Sequence, residues 1–298
     1  MIPRDQGDAP AGGRVSAGGG KPNNLRLRIA SAAVLVPVAV AGAYIGGRLF
    51  FVLCAMAAGG ILWEWTRLVA GRADGRVLVP GLAALLVALW LTGLGRPGAA
   101  AGMIAIGAAL GGGMVAVWPD RPSASKFAVW AALGVLYAGT AFLSPALLRR
   151  DAAMGFVAML FLAATVWLTD TFAYFVGNAV GGPLLWPRLS PHKTWAGALG
   201  GTAGGVIGGI AVAYTSGLGN LPIIGVIALL LSVLAQAGDL LESAVKRHFG
   251  AKDTSALIPG HGGLMDRLDG FLVAALAALL IGILRQGTDA PAQGLLVW

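Results

Sequence analysis

Charge is what this chain has least of. Only 11% of its 298 residues are Asp, Glu, Lys or Arg, against about 25% in an ordinary soluble domain, and that shortage excludes a water-exposed globule of this length. Cysteine is nearly missing too. The single Cys54 rules out a disulfide framework and a cysteine metal site, and its position inside an apolar run reads as packing. No polar stretch between the apolar runs is long enough to make a soluble domain.

What is present is hydrophobicity. Apolar residues make up 57% of the chain, and runs close to the ~20 residues that cross a bilayer recur from residue 27 almost to the C-terminus. The expected fold is all-α, a polytopic integral membrane protein with nine transmembrane helices near 27–46, 48–69, 77–95, 98–118, 126–147, 153–177, 195–216, 221–246 and 267–286. Residues 1–24, rich in Gly, Pro and charge and without apolar periodicity, read as a disordered cytoplasmic tail, and residues 25–298 as one transmembrane domain. The first apolar run is as long as a true span, so it is expected to stay as a helix rather than be cleaved as a leader.

The net charge of +8 does not indicate nucleic acid, because the basic residues are spread along short loops. With nine spans, the tail and the loops near 70–76, 119–126, 178–194 and 247–266 share one side, which carries 16 of the 21 Lys and Arg residues. The other side has Arg48, Arg96, Arg149, Arg150 and Arg285. The positive-inside rule then makes the first side cytoplasmic; the cell (inner) membrane is the expected location.

Six of the 13 acids lie within or at the ends of spans: Glu64, Asp170, Asp239, Glu242, Asp266 and Asp269. An ionisable group near the bilayer centre costs about 2.5–3.5 kcal/mol on insertion scales and marks function by default. Asp239, Glu242, Ser243 and Lys246, at i, i+3, i+4 and i+7, share one face at the end of the eighth helix. Asp266 and Asp269 sit at i, i+3 where the ninth begins. Helices joined by a short connection pack antiparallel, so the two acidic faces should meet. Four carboxylates in a partly dry site need cations beyond Lys246, Arg247, Lys252 and Arg267, and oxygen-only donors favour magnesium, manganese or calcium over zinc. Magnesium also bridges nucleotide phosphates. Buried ion pairs, Asp269 with Arg267 or Glu242 with Lys246, are the alternative reading. Glu64, with Arg67 at i+3, reads as an interfacial ion pair.

Two connections on the basic side stand out. One runs from Lys246 and Arg247 through Lys252 to Pro259-Gly260-His261-Gly262-Gly263, where glycines let backbone approach a ligand and a helix start favours anions. On its own that Gly-rich run is as compatible with a plain turn. The other ends Ser190-Pro191-His192-Lys193-Thr194-Trp195. Asp170 and Tyr174, at i, i+4 in the sixth helix, point toward it, either lining the same cavity or forming a buried hydrogen bond with each other. Glycines at 200, 201, 204, 205, 208 and 209 smooth the seventh helix for close packing or dimerisation. Trp118, Trp186 and Trp195 fall where interfacial aromatic belts form.

The stretch SAVKRHFGAKDTSALIPGHGGLMDRLD resembles the signature of bacterial phosphatidate cytidylyltransferases, the CDP-diglyceride synthases. Ser243, Lys246, Arg247, Lys252, Asp253, Pro259, His261, Gly262, Gly263, Asp266, Arg267 and Asp269 stand at the family spacing. The likeness extends upstream through Gly238-Asp239 and Glu242, the Ser190 to Trp195 segment, and Asp170 with Tyr174. The first 150 residues match only in hydropathy. One departure is Ala196, where the family commonly has a glutamate; its role would be lost here or moved to an acid such as Glu64.

The resemblance implies a nucleotidyltransferase of phospholipid biosynthesis, in which CTP and phosphatidate give CDP-diacylglycerol and pyrophosphate. It also implies a magnesium site and a monovalent cation such as potassium; membrane lipids, and a homodimer through the glycine face of the seventh helix, are the further partners expected. The chemistry mainly requires two repelling anions to be held in line. Asp239, Asp266 and Asp269 would hold metal, with Lys246 beside them. Ser190, Lys193, Thr194, Ser243, Arg247, Lys252, His261, Gly262, Gly263, Arg267, Asp170 and Tyr174 would receive the substrates. The competing classes are an ion or proton transporter, disfavoured by the lack of paired repeats, a structural membrane subunit, and a CTP-dependent polyprenol or phytol kinase. A CDP-alcohol phosphatidyltransferase is set aside because Val273 and Ala274 follow Asp269-Gly270 where its motif differs.

Overall fold

In the computed structural model, which describes residues 22–118, 124–255, 257–258 and 262–298, helices begin and end where the sequence has its punctuation. The nine long ones are α1 (Pro22–Ile45), α2 (Gly47–Ala70), α3 (Gly75–Gly93), α4 (Pro97–Val117), α5 (Ala124–Arg150), α6 (Gly155–Val180), α7 (Trp195–Thr215), α8 (Leu221–His248) and α9 (Met265–Gln286). Gly71 stops α2 with φ 73°, a left-handed cap that only glycine adopts at no cost. Asp74 caps α3 by accepting from the Arg76 amide at 3.0 Å, and Pro97 opens α4, where its missing N–H is not needed.

Helices α2 to α9 are each long and apolar enough to cross a membrane, and α1 adds a shorter apolar stretch, Ala33–Ile45. Their outer faces carry bare hydrophobes such as Met56, Val79, Tyr214 and Leu284, between 69% and 85% exposed. A water-soluble monomer does not show so much contiguous apolar surface; lipid is the solvent these faces fit. The expected nine segments are therefore present within a few residues of their expected ends. Pro22, Asn23 and Asn24 lie in α1 rather than in a tail, and the rest of the proposed tail falls outside the described residues.

Two elements were not foreseen. The connection after α6 folds into a small antiparallel hairpin, β1 (Leu184–Trp186) and β2 (Ser190–Thr194), with Leu184 opposite Thr194 and Trp186 opposite Ser190. A short helix, α10 (Pro291–Leu296), follows α9 and packs back against it. Here Asp151 ties three segments together: it accepts from the amides of Ala153 and Met154 and, 142 residues away, from Gln293 at 2.8 Å. Arg149 reaches the α1 end through the carbonyls of Ala43 and Tyr44.

Close helix packing is the role of the α7 glycines. A Cβ on Gly201 would lie 2.7 Å from the Thr169 carbonyl, one on Gly204 2.6 Å from the Phe172 ring, and one on Gly209 2.7 Å from Ala228 Cβ. Both glycine rows face α6 or α8 within the chain, so a homodimer would need another surface. Thr169 and Ser232 share a hydroxyl hydrogen bond of 2.7 Å across this seam. Cys54 is buried among apolar side chains, as expected of a packing residue. Trp118, Trp186 and Trp195 stand exposed, 53–63%, at helix ends and on the hairpin.

Candidate active site

The site begins with a close approach of α8 and α9. Gly238 presents its bare α-carbon to the Asp269 carbonyl, where a Cβ would come to 2.9 Å, and Gly270 does the same toward the Ala235 carbonyl at 2.8 Å. With no side chain between the two backbones, the acidic faces meet as their spacing predicts. Lys246 stands between them, its Nζ 2.7 Å from Glu242 Oε2 and 2.7 Å from Asp266 Oδ1. The ion pair Glu242–Lys246 is thus real, but it is one arm of a bridge that includes Asp266. Asp269 lies beside Glu242 and within electrostatic reach of Asp239, and Asp170 from α6 is within electrostatic reach of Asp239, Asp269, Lys193 and Arg267.

Lys193 enters from β2 and pairs with Asp239. The hairpin is what aims it: β1 and β2 pair, the Trp195 amide donates to the Pro183 carbonyl at 3.0 Å, and Thr194 caps α7 by accepting from the Gly197 amide at 3.1 Å. Thr194 therefore has a structural task in addition to the substrate contact expected of it. Between the hairpin and the α8 end opens a cleft of about 170 Å³, lined by Ser190, His192, Ser243, Lys246, Arg247, Lys252 and Asp253 among others. Two segments more than fifty residues apart in sequence thus supply one basic, hydroxyl-bearing pocket next to the carboxylates.

Tyr174 is not among the side chains that line this cleft. It is 66% exposed and packs edge-on against Phe175, which also removes the reading of a buried Asp170–Tyr174 pair. His261, with Pro259 and Gly260, lies outside the described residues. Gly262 has φ 87°, a conformation that suits glycine, and its carbonyl accepts from the Ile258 amide at 2.9 Å. The amide of Gly263 donates to Asp266 Oδ2 at 2.9 Å. At this helix start the amides of Gly263, Leu264 and Met265 are taken by carboxylates of the protein itself.

The second of those anions is Glu64, which the sequence reading paired with Arg67. Arg67 instead stacks 4.8 Å over the Trp63 ring. Glu64 is wholly buried and accepts from the amides of Leu264 at 2.8 Å and Met265 at 2.7 Å, from Ser255 Oγ at 2.6 Å and from Thr254 Oγ1 at 3.3 Å. The four N-terminal amides of a helix lack internal partners, and α9 has no side-chain cap of its own. A carboxylate from α2 fills that place. Among the described residues no three His, Cys, Asp or Glu side chains converge on one point as a ready metal centre.

A bundle of apolar helices with a basic cleft and clustered carboxylates at one end defines a membrane-embedded enzyme that handles phosphorylated substrates. The chain belongs to the cytidylyltransferase family, whose sequence model matches residues 26–284. It is 42% identical over 270 residues to the phosphatidate cytidylyltransferases of Brucella suis biovar 1 and of Brucella melitensis biotype 1, covering 90% of this chain and 97% of each relative. The phosphatidate cytidylyltransferase of Staphylococcus haemolyticus is 38% identical over 146 residues, 49% of this chain and 55% of that one.

Proposed function

We propose that this chain joins CTP to phosphatidate, forming CDP-diacylglycerol and releasing pyrophosphate, at the end of the bundle where α8, α9 and the hairpin meet. The cleft is the observation that carries the reading: Ser190, Ser243, Lys246, Arg247 and Lys252 line it, a donor set suited to a polyphosphate, and it sits beside carboxylates at the ends of membrane-spanning helices. The diacyl tails can then remain in lipid while the head group rises to the nucleotide. A phosphatidate oxygen attacks the α-phosphorus of CTP, the new P–O bond forms as the bond to the β-phosphate breaks, and the electron pair leaves with pyrophosphate. The nucleophile is already anionic, so positioning and charge neutralisation are the main demands on the protein. Lys246, Arg247 and Lys252 neutralise phosphate charge, while Ser190 and Ser243 donate hydrogen bonds.

Magnesium belongs to the same proposal, with Asp239, Asp266 and Asp269 around it. The donors fit in kind, being all oxygen. Asp266 has Oδ1 on Lys246 and Oδ2 on Thr254 and Gly263, so direct ligation falls to Asp239 and Asp269 while Asp266 fixes their surroundings. One or two carboxylates completed by water and substrate phosphate is the way magnesium usually binds. Bound there, the ion would supply charge for the phosphates and the leaving group. A monovalent cation such as potassium suits the same oxygens. The basic loop side is proposed to face the cytoplasm, where CTP is, with the protein in the cell (inner) membrane.

The test uses purified protein with CTP, phosphatidate and magnesium, assayed for pyrophosphate and CDP-lipid. Both are expected as products. CDP with a phosphorylated lipid would instead identify a CTP-dependent kinase, and ion uptake into liposomes without nucleotide a transporter. Asp266→Asn is expected to lower turnover at least a hundredfold, about 2.7 kcal/mol, in protein that still inserts; near wild-type turnover would sink the site assignment.

A further inference from the structure

We propose that Glu64 is a positioning residue for the reaction, acting through Thr254 on Asp266. Four observations combine. Glu64 is wholly buried, and the four donors that meet it come from α9 and from the loop before it, 190 to 201 residues along the chain. The Thr254 hydroxyl lies 3.3 Å from Glu64 Oε2 and 3.0 Å from Asp266 Oδ2, and the Thr254 amide also donates to Asp266 Oδ2 at 3.1 Å. Gly263 is held against both carboxylates: its amide is 2.9 Å from Asp266 Oδ2, and a Cβ there would meet Glu64 Oε1 at 2.9 Å. Asp266 Oδ1 in turn receives Lys246, a residue of the cleft.

The connections run in one chain. Glu64 fixes the first amides of α9 and the hydroxyls of Thr254 and Ser255. Those fix the loop, and the loop fixes Asp266 Oδ2, so that Oδ1 faces Lys246. A buried carboxylate without a facing ammonium is costly unless its hydrogen bonds are complete; the amides of Leu264 and Met265, the Ser255 hydroxyl, a Thr254 hydroxyl whose single proton is shared with Asp266, and the positive end of α9 meet that need. Glu64 itself is not among the cleft-lining side chains. Its place is one helix behind the site, and neither substrate nor metal is required to touch it.

This inference rests on the assignment of Asp266 to the site, and the variants separate the two. Thr254→Val keeps the side-chain shape and removes the hydroxyl that joins Glu64 to Asp266, whereas Thr254→Ser keeps the hydroxyl. Glu64→Gln keeps the volume and places an amide N–H₂ against donors. The expected result is that Thr254→Val lowers kcat at least tenfold with KM for CTP nearly unchanged in protein that is still recovered folded in detergent, and that Thr254→Ser restores kcat. Glu64→Gln is expected to lower kcat at least as much; should it fail to fold, Thr254→Val decides alone. Thr254→Val with kcat within twofold of wild type overturns the proposal, as does a loss of activity that only follows a loss of folded protein. In that case an inactive Asp266→Asn leaves the site assignment standing, while an active one removes both.

Discussion

Lys246 gives the sharpest test of how charge is balanced at the α8–α9 seam. Its Nζ lies 2.7 Å from each of Glu242 and Asp266, with 13% of the lysine side chain exposed and 2% and 8% of the two acids. Lys246→Met keeps most of the stem and removes the charge, stranding two carboxylates in a site nearly closed to water. Breaking a buried pair from one side costs about 3–5 kcal/mol, a large share of the roughly 5–15 kcal/mol that holds a domain folded. At about 2–4 °C per kcal/mol for a domain of this size class, the melting temperature in detergent should fall by roughly 6–20 °C. Adding Glu242→Gln removes one of the stranded charges and is expected to return about half of that loss. Turnover should not return with it, because Lys246 also lines the cleft. A lost charge-assisted contact to phosphate is worth about 1.5–3 kcal/mol, or roughly 10- to 150-fold in rate. The assay is paired: melting followed by size-exclusion recovery, and CDP-lipid formation on the same samples. A Lys246→Met protein that melts within about 2 °C of wild type, or a double variant that regains turnover along with stability, would refute the reasoning.

Two further outcomes follow from the packing and the caps. Gly270→Ala would set a methyl 2.8 Å from the Ala235 carbonyl and should destabilise by about 1–3 kcal/mol while lowering turnover by parting α8 from α9; Gly102→Ala, with nothing within 4 Å of its Cβ, is the control and should change neither. At the start of α3, hydrogen bonding from Arg76 holds the Asp74 carboxyl below its usual range. Its folded value being depressed, the stability it adds is present above the unfolded value near 3.9 and is lost as pH falls through the folded one. Asp74→Asn should therefore melt lower than wild type at neutral pH, by about 0.5–2 kcal/mol as for other lost caps, with the gap closing as the pH is lowered through the carboxylate range.

The helices were legible because a bilayer imposes a length and a composition that each span must meet alone, so boundaries at Gly71, Asp74 or Pro97 could be read locally. The meeting of Asp239 and Glu242 on α8 with Asp266 and Asp269 on α9 was legible for the same reason: i, i+3 spacing on two helices joined by one connection leaves few other arrangements. Glu64 was not, since its partners lie some 200 residues away and Arg67, one turn along, offered a simpler local match. The β1–β2 hairpin escaped because its strands are three and five residues long, too short for alternation to register.

The knot at Asp151 has a consequence for how the protein is made. Its carboxylate leaves the ribosome 142 residues before the Gln293 amide that it binds, a delay on the order of ten seconds or more at ordinary synthesis rates. Throughout that interval the end of the bundle opposite the cleft has its inter-helix clasp undone.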